Sequence, residues 1–380
     1  MKRLSKVCAA VFLPAVLVLL AGARVMAGED QPQAAAPVPQ TGVTKSYTPG
    51  DDGTYQAGVA WPDPRFTVDG DCVTDNLTGL MWAKSFGPAA TLTEALAYCK
   101  QLDLGGHKDW RMPNVREQLS LSDSSLVKPI ASTDLTTTFL PKEHPFINVP
   151  VILTRTSTTC AKDTNSYWYV RTDGYVGQQG KDDTQWPGVL PVRGGVDKNG
   201  KEITKKGIAP VAKTGQTISY APGDDGDLQM GVPWPNPRFT DNGNETVTDN
   251  LTGLMWSKNA NIGGATIGFE ALKVCENLEL GGYKDWRLPN VKELQTLIDY
   301  SSTLAFPKEP FVNTDGVATW SATIWKKTDM YSWAFIANHS GNTVGGRMDS
   351  WDFCRCNVWP VRGRTLDPVK PAPAKEPEKK

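Results

Sequence analysis

Val-Thr-Asp-Asn-Leu-Thr-Gly-Leu-Met-Trp, residues 73–82, recurs without change at residues 247–256. Further matches keep the same order on both sides of it: 49–53 with 222–226, 61–66 with 234–239, 104–115 with 280–291, and the closing Pro-Val-Arg-Gly at 191–194 and 360–363. Self-similarity in the same order and at a nearly constant spacing, here offsets of 169 to 176 residues, indicates a repeated structural unit. The sequence therefore predicts two tandem copies of one domain.

The ends of the chain and the segment between the copies differ in composition from the repeats. Lys2, Arg3 and Lys6 precede an apolar run at 7–21, and Val25-Met26-Ala27 places a small residue before a cleavage point. This pattern is typical of a signal peptide, with an uncleaved N-terminal anchor as the alternative. The predicted organisation is a signal peptide at 1–27, a disordered linker at 28–40, copy 1 at 41–194, an exposed linker at 195–213, copy 2 at 214–363 and a disordered tail at 364–380.

The charge balance limits the class of partner. Removal of residues 1–27 takes four basic residues and no acidic one, which leaves 36 basic and 41 acidic residues and a net charge of about −5. Proteins that bind nucleic acids generally show a basic balance, so this charge argues against such a partner. The sequence predicts a secreted globular protein, extracellular or periplasmic, with no stable membrane span once the signal peptide is removed.

Cysteine usage points to disulfides. The mature chain keeps six cysteines: Cys72, Cys99, Cys160, Cys275, Cys354 and Cys356. An even number in an exported protein predicts disulfides, although sequence does not give the pairing. Each copy has three cysteines, so one disulfide within a copy leaves one cysteine unpaired. The two remaining cysteines either pair between the copies or stay free. Cys354 and Cys356 are too close for an easy mutual bond, which predicts that one of them pairs with Cys275.

The local pattern of each copy is that of an α+β domain. Residues 73–75 and 80–82 predict a hairpin, and Thr91 with Glu94 predicts the capped start of a helix. Asn114 with Glu117 predicts the start of a second helix, which is repeated at Asn290 with Glu293. Later strands are predicted at 317–323, 333–336 and 358–361. The fold class is therefore α+β, with two tandem copies of one domain, each made of two helices and a mostly antiparallel sheet.

These motifs resemble a known family. Residues 73–82, the following helix that contains Cys99, and Gly-Gly-x-Lys-Asp-Trp-Arg-[Leu/Met]-Pro-Asn-Val-[Lys/Arg]-Glu are similar to the Lcl C-terminal domain family, named for the terminal domain of a collagen-like bacterial adhesin. The resemblance implies a cell-surface or secreted module, and the namesake domain binds sulfated polysaccharides. Asp-Trp-Arg-Leu-Pro-Asn also resembles a stretch of formylglycine-generating enzymes, which implies a C-type-lectin-like fold. Copy 1 departs from the pattern, because Arg155 and Cys160 stand where copy 2 has Trp320 and Trp325.

The repeated polar motifs are explained by structural roles. In Asp109-Trp110-Arg111 and in 285–287, we predict that Trp fills the core while Asp and Arg bond the backbone near a helix start. The oxygen-rich stretches 69–71 and 241–244 lack the ligand spacing of a calcium loop and are predicted to be turns. Only three histidines are present (His107, His144 and His339), and no nucleophile elbow, zincin motif or phosphate loop appears. We therefore predict no metal, no cofactor and no enzyme activity.

The late segment of copy 2 carries the remaining signal. Its tryptophans alternate with polar residues, a mixture suited to sugars, because aromatic faces stack on sugar rings while Asn, Asp and Arg hydrogen-bond hydroxyl or sulfate groups. Trp320, Trp333 and Trp359 have a strand-like context and are predicted to fill the core. The candidate ligand-binding residues are Trp325, His339, Asn342, Arg347, Asp349 and Trp351.

The sequence thus predicts a non-enzymatic, exported binding module that recognises a glycan or another surface polymer. The alternative is a structural component of the cell envelope that contacts other proteins through the same aromatic surface. A third interpretation, a thiol-dependent oxidoreductase, would use Cys354 and Cys356.

Overall fold

The computed structural model of the chain describes residues 34–88, 91–126, 140–149, 153–171, 176–184, 188–302, 306–314, 318–327, 330–336, 346–349 and 355–363. Side chains of 325–336 and 346–349 lie outside this description. The predicted signal peptide and C-terminal tail are outside it as well. Within the described part of the chain, no helix is long and apolar enough to cross a membrane.

Short helices and short antiparallel strands alternate along both copies. The helices are α1 Asp52–Tyr55, α2 Leu92–Gln101, α3 Val115–Ser120, α4 Asp225–Leu228, α5 Gly268–Glu276 and α6 Val291–Thr296, with a 3-10 turn at Ser124–Leu126. The strands of copy 1 are β1 Phe66–Asp69, β2 Cys72–Asp75, β3 Leu80–Ala83, β4 Leu153–Thr159, β5 Ser166–Arg171, β6 Val176–Gly180 and β7 Val192–Gly194. Those of copy 2 are β8 Phe239–Asp241, β9 Thr246–Asp249, β10 Met255–Ser257, β11 Thr319–Lys327, β12 Met330–Ile336, β13 Gly346–Asp349 and β14 Val361–Arg362.

Each copy contains two antiparallel sheets. The first has the order β1-β2-β3-β7 in copy 1 and β8-β9-β10-β14 in copy 2, so the closing Pro-Val-Arg-Gly returns to pair with the early hairpin. The second has three strands in sequence order, β4-β5-β6 and β11-β12-β13. The α+β class is confirmed. A C-type-lectin-like fold stays a prediction.

The predicted hairpin and helix caps are confirmed. Val73 pairs with Trp82 across the β2–β3 turn. Thr91 and Glu94 form a capping box at α2, as do Asn114 with Glu117 at α3 and Asn290 with Glu293 at α6. These signals are local, since a cap satisfies backbone N–H groups only three residues away. The strands predicted at 317–323 and 333–336 correspond to β11 and β12, with β11 reaching four residues beyond the predicted end at 323. The strand predicted at 358–361 is wrong except at Val361, because β14 comprises only Val361–Arg362.

One apolar core runs through both copies. Trp82 and Val73 of copy 1 belong to the same buried cluster as Trp256 and Trp359 of copy 2. Across the copies, the rings of Trp168 and Tyr300 meet edge to face with centroids 5.6 Å apart. The copies are therefore packed against each other rather than joined only by a tether.

Segments that composition predicts to be disordered or exposed take part in this packing. Ala36 donates its amide to the carbonyl of Leu251 at 3.0 Å, and Ala34, Ala36 and Val38 are buried. In the segment between the copies, the Thr204 hydroxyl donates to Gly79 O at 2.7 Å, and Ala209 is buried. These contacts tie both segments to the body of the fold at Ala36, Thr204 and Ala209, while residues 198–203 of the second segment are exposed. The domain boundaries themselves stay a prediction.

Candidate functional site

Three of the six predicted ligand residues, Trp325, Arg347 and Asp349, lie in strands of one sheet, β11-β12-β13. Trp325 lies in β11 opposite Ser332, and Ser332 lies opposite Asp349 of β13, so these three residues form one row across the strands. Arg347 is two residues before Asp349 in the same strand. The side chains of Trp325, Arg347 and Asp349, and the whole of His339, Asn342 and Trp351, lie outside the described residues. The assignment of these residues to a site stays a prediction.

The predicted core role is confirmed for the tryptophans whose side chains are described. Trp359 is buried, and its Nε1 donates to Ser257 O at 3.0 Å. Trp320 is buried, and its Nε1 donates to Thr266 O at 2.7 Å. At the equivalent place in copy 1, Arg155 is also buried and donates to the Tyr167 hydroxyl at 2.6 Å. This difference between the copies lies in the interior beneath the second sheet.

The Asp-Trp-Arg motif has a structural role in both copies. Trp110 and Trp286 are buried, and the Nε1 of each donates to a loop carbonyl, that of Leu104 or Leu280, at 3.1 Å. The arginine differs in detail from the prediction: Arg287 makes two hydrogen bonds to the capping carboxylate of Glu293, at 2.5 and 2.7 Å, as well as contacting backbone. The aspartate also bonds a side chain, because Asp285 accepts from Arg362 at 2.7 Å. The motif thus joins the closing strand to the start of the second helix.

The oxygen-rich stretches are turns. Asp69 and Cys72 are the last pair of the β1–β2 hairpin, with Gly70 at a positive φ between them. Asp241 forms an ion pair with Lys258 at 2.7 Å. Among the described residues, no group of three or more His, Cys, Asp or Glu is placed to hold a metal ion.

No disulfide joins the described cysteines, which differs from the predicted disulfides. Cys72, Cys99, Cys160 and Cys275 are buried free thiols, Cys356 is buried, and Cys354 lies outside the described residues. They belong to different apolar clusters, apart from Cys275 and Cys356, which share one with Trp320. Burial raises the pKa of Cys99 to about 12 and also raises that of Cys275. Because the thiolate is the reactive form, these environments oppose thiol chemistry.

The junction between the copies contains polar contacts that sequence reasoning missed. We call residues 36–59 arm 1 and residues 209–232 arm 2. We call residues 66–194 body 1 and residues 239–363 body 2. Arm 1 contacts both bodies. Thr41 O accepts the Ser124 amide of body 1 at 2.8 Å, whereas Thr323 of body 2 donates its hydroxyl to Asp52 Oδ2 at 2.8 Å and Asn290 Nδ2 donates to Ala57 O at 3.1 Å.

Arm 2 makes the same contacts with body 1. Thr158 donates its hydroxyl to Asp225 Oδ2 at 2.7 Å, and Asn114 Nδ2 donates to Met230 O at 3.2 Å. Gln216 of arm 2 also donates to Thr159 O. Thr214 O of arm 2 also accepts the Tyr300 amide of body 2 at 3.1 Å, so each arm bridges the two bodies. We call the arms exchanged because the contacts of Asp52 and Asp225 are made with the body of the other copy.

Each arm carries a buried carboxyl group at the contact. Asp52 and Asp225 are 2% exposed, and each accepts a second hydroxyl hydrogen bond from its own arm, from Thr41 at 2.8 Å and Thr214 at 2.7 Å. The Oδ1 atom of each has no hydrogen-bond partner among the described residues. Burial raises the pKa of each carboxyl from 3.8 to about 7, because removal from water disfavours the charged form.

Two basic side chains cross the junction in equivalent positions. Arg116 donates to Ile298 O at 2.6 Å, and Lys292 donates through Nζ to Ser122 O at 2.9 Å. Burial, with Arg65 nearby, lowers the pKa of Lys292 to about 7. A cleft of about 100 Å³ is lined by both residues and by equivalent stretches of the two arms, 36–39 and 209–212.

A sequence signal for the arms is present. Ala36-Pro37-Val38 recurs as Ala209-Pro210-Val211, and Gly50–Gly53 recurs as Gly223–Gly226. These matches place the start of each repeat before residues 41 and 214. They do not reveal which body an arm contacts.

The comparisons with known proteins agree with the repeat. The family model of the Lcl C-terminal domain matches residues 71–193 and 245–362, which together exceed half of the chain. Both matched stretches start after an arm and end at the closing strand of a body. Neither a curated protein nor a solved structure matches the chain. By the extent of the two matches, the chain belongs to the Lcl C-terminal domain family and carries two copies of its domain.

Proposed function

We propose that this chain is an exported, non-enzymatic binding protein that recognises a glycan or another cell-surface polymer through the sheet β11-β12-β13 of copy 2. The observation that carries the proposal is the divergence of the two copies at this sheet on an otherwise repeated scaffold. The capping boxes, the Arg–Glu pair and the tryptophan-to-loop hydrogen bond recur in both bodies.

Position by position, the second sheet differs in its chemistry. Trp325 in copy 2 replaces Cys160, a buried thiol in copy 1. The row of Trp325, Ser332 and Asp349 combines an aromatic ring with a hydroxyl and a carboxylate. Such a row suits a sugar, whose apolar ring face stacks on an indole while its hydroxyl groups hydrogen-bond polar neighbours. Copy 2 is therefore the copy proposed to bind.

Charge favours a neutral polymer over a strongly sulfated one. The mature chain has a net charge of about −5, which opposes purely electrostatic capture of a polyanion. Arg362, one of the basic residues near the end of copy 2, is already paired with Asp285 and lies over the Tyr283 ring. Its charge is thereby partly neutralised at short range. The proposed ligand is accordingly a neutral or weakly charged glycan.

Export is part of the proposal. The basic start, the short apolar run and the small residue before the cleavage point support processing after Ala27. The mature protein would then act outside the cytoplasm, where surface polymers are present.

A glycan array probed with the mature protein tests this function. We expect saturable binding to a neutral glycan that Trp325→Ala or Trp351→Ala weakens at least about tenfold, because loss of an aromatic anchor typically costs more than 1 kcal/mol. Tyr220→Ala, which removes an exposed ring from arm 2, serves as the matched control and should bind like wild type. Thermal melting of each variant verifies that it is folded. Equal binding by all variants, or none by wild-type protein, would contradict the proposal.

The exchanged arms favour a second candidate, a protein-contacting component of the cell envelope. A domain whose arm completes another copy already has a built-in protein-binding mode. If the array is negative, recovery of envelope proteins with the immobilised chain would support this candidate, with Trp325→Ala again as the comparison.

A further inference from the structure

Arm 1 docks on a defined surface of body 2, which we call docking surface 2. It comprises Asn290 at the start of α6, Thr323 in β11 and the apolar cluster around Leu272. Besides the Asp52 and Ala57 hydrogen bonds, the ring of Tyr47 packs against this cluster. Asp52 and Ala57 are each 2% exposed. The contact thus combines directed hydrogen bonds with apolar burial, the two components of a specific interface.

Arm 1 keeps its shape through its own hydrogen bonds. Gln40 donates its amide to Val59 O at 2.9 Å, and Val59 donates its amide to Val38 O at 2.8 Å, which closes the arm into a loop. Inside the loop, Asp51 caps α1 and accepts the Tyr47 amide at 2.6 Å. These bonds lie within the arm, so they preserve its shape whether its contacts with the bodies, such as Ser124 N to Thr41 O at 2.8 Å, are made within one chain or between two chains. Docking then requires little additional ordering of its backbone.

The contact does not depend on how the chain connects arm and body. Asp225 and its partner Thr158 are 67 residues apart, whereas Asp52 and Thr323 are 271 residues apart. The same pair of residue types meets at distances of 2.7 and 2.8 Å in the two places. An arm is therefore recognised by its chemistry, whichever segment tethers it.

We propose that docking surface 2 also accepts arm 1 of a second copy of this chain, and that reciprocal exchange produces a closed dimer. Each of the two chains supplies its arm to the other, so every arm contact of the monomer is kept and none is left open. The choice between the monomer and the dimer depends on effective concentration, because the cis arm competes with arms in solution. Concentrated protein, or protein refolded at high concentration, favours the dimer.

Wild-type protein gives the first test. Two mature chains with different affinity tags are unfolded in denaturant, mixed and refolded over a range of protein concentrations. We expect a species of twice the monomer mass by light scattering, containing both tags, whose fraction rises with refolding concentration and persists on dilution. Monomer at every concentration would overturn the proposal.

Two variants identify the surface that forms this dimer. Asp52→Lys places a charge on the docking face of the arm, and Thr323→Lys places one on docking surface 2. Each variant refolded alone should give at least tenfold less dimer than wild type. Their mixture should give a one-to-one dimer held by one intact contact, because the intact arm of the Thr323→Lys chain meets the intact surface of the Asp52→Lys chain. The reciprocal contact carries both changes and should stay open. The exposed change Glu279→Lys is the control and should dimerise like wild type. A dimer formed equally by each variant alone would overturn the proposal.

Discussion

Asp52 exemplifies, at the scale of a single residue, how a buried group links stability to pH. Its Oδ2 accepts hydroxyl hydrogen bonds from Thr41 and Thr323, and its neighbours include the Arg287–Glu293 pair. Burial raises its pKa from 3.8 to about 7. The folded state therefore holds a proton more tightly than the unfolded state. The free energy of unfolding contributed by this group is present below about pH 4 and is lost as the pH rises to about 7.

We expect Asp52→Asn to flatten the pH profile of stability between about pH 4 and 7. A shift of one pKa unit corresponds to about 1.4 kcal/mol, so the wild-type carboxyl costs roughly 4 kcal/mol at most above pH 7, and the amide removes that cost. Denaturant unfolding at pH 4.5 and pH 8 measures the difference, and the variant should gain most at pH 8. Lys292 acts above this window: its folded pKa of about 7 lies below 10.5, so its contribution to stability rises from about pH 7 upward.

Asp63→Asn is the matched control for this measurement. Asp63 is exposed, and copy 2 carries Asn236 at the equivalent position. Its pH profile should follow wild type. Parallel profiles for Asp52→Asn and wild type would show that the carboxyl does not control stability.

At the scale of secondary-structure elements, α6 combines a local cap with a long-range contact. Asn290 Oδ1 accepts the Glu293 amide at 2.9 Å, while Nδ2 donates to Ala57 O of arm 1. The cap is visible in the sequence because its two partners are three residues apart. The contact between Asn290 and Ala57 is not visible in the sequence, since 233 residues separate the two partners.

We expect Asn290→Ala to destabilise the protein by about 2–4 kcal/mol. Loss of a cap costs about 1 kcal/mol, and leaving the buried Ala57 carbonyl unpaired adds about 1–3 kcal/mol. Thr91→Ala, which removes only the cap of α2, should cost about 1 kcal/mol. Urea unfolding compares the two variants. Equal costs would mean that the arm contact contributes nothing.

The sheets show the same division between what sequence predicts and what it leaves open. The β2–β3 hairpin follows from Asn76–Gly79, whose residue types favour a turn. The pairing of β3 with β7 joins Trp82 to Val192 and is not encoded by any neighbouring residue. Both partners are short strands, of four and three residues, and short strands could occupy several places in a sheet. Their pairing therefore depends on packing of the whole body.

At the scale of the whole molecule, the arms turn two repeats into one folding unit. We expect the chain to stay in one piece when it is cut between the copies. Residues 198–200 form an exposed turn, closed by the Asp197 amide donating to Lys201 O at 2.9 Å. A protease recognition sequence inserted after Lys198 would allow the folded protein to be cleaved there. Because arm 1 contacts body 2 and arm 2 contacts body 1, the two fragments should co-elute from a size-exclusion column.

Separate elution of the two fragments under native conditions would contradict this expectation. The same insertion without protease is the control, and it should elute like wild type. The denaturant concentration at which the fragments stop co-eluting would measure how strongly the arms hold the copies together.

The sequence reveals the repeat but not the exchange, for a physical reason. An arm that docked on its own body would use the same residue types as one that docks on the other body: Asp52 would meet Thr158 instead of Thr323. Comparison of the two repeats does not show which body an arm contacts, because both alternatives satisfy the same sequence pattern. The roles of Trp110, Trp286 and Trp359 as buried residues could be predicted, since their motifs recur or lie in strand-like context. The candidate ligand residue Trp325 gave no such internal check, because copy 1 has Cys160 at the equivalent position.

The exchanged arms also impose an order on biosynthesis. Arm 1 leaves the ribosome first, but its partners Asn290 and Thr323 follow their contacts in the arm by 233 and 271 residues. Body 1 has its complement, arm 2, directly after it and can close while the rest of the chain is still emerging. The N-terminal arm cannot make its contacts with body 2 until more than 200 further residues have been synthesised. A circularly permuted gene that moves arm 1 behind residue 363 would remove this delay and place every arm immediately after the body that it completes.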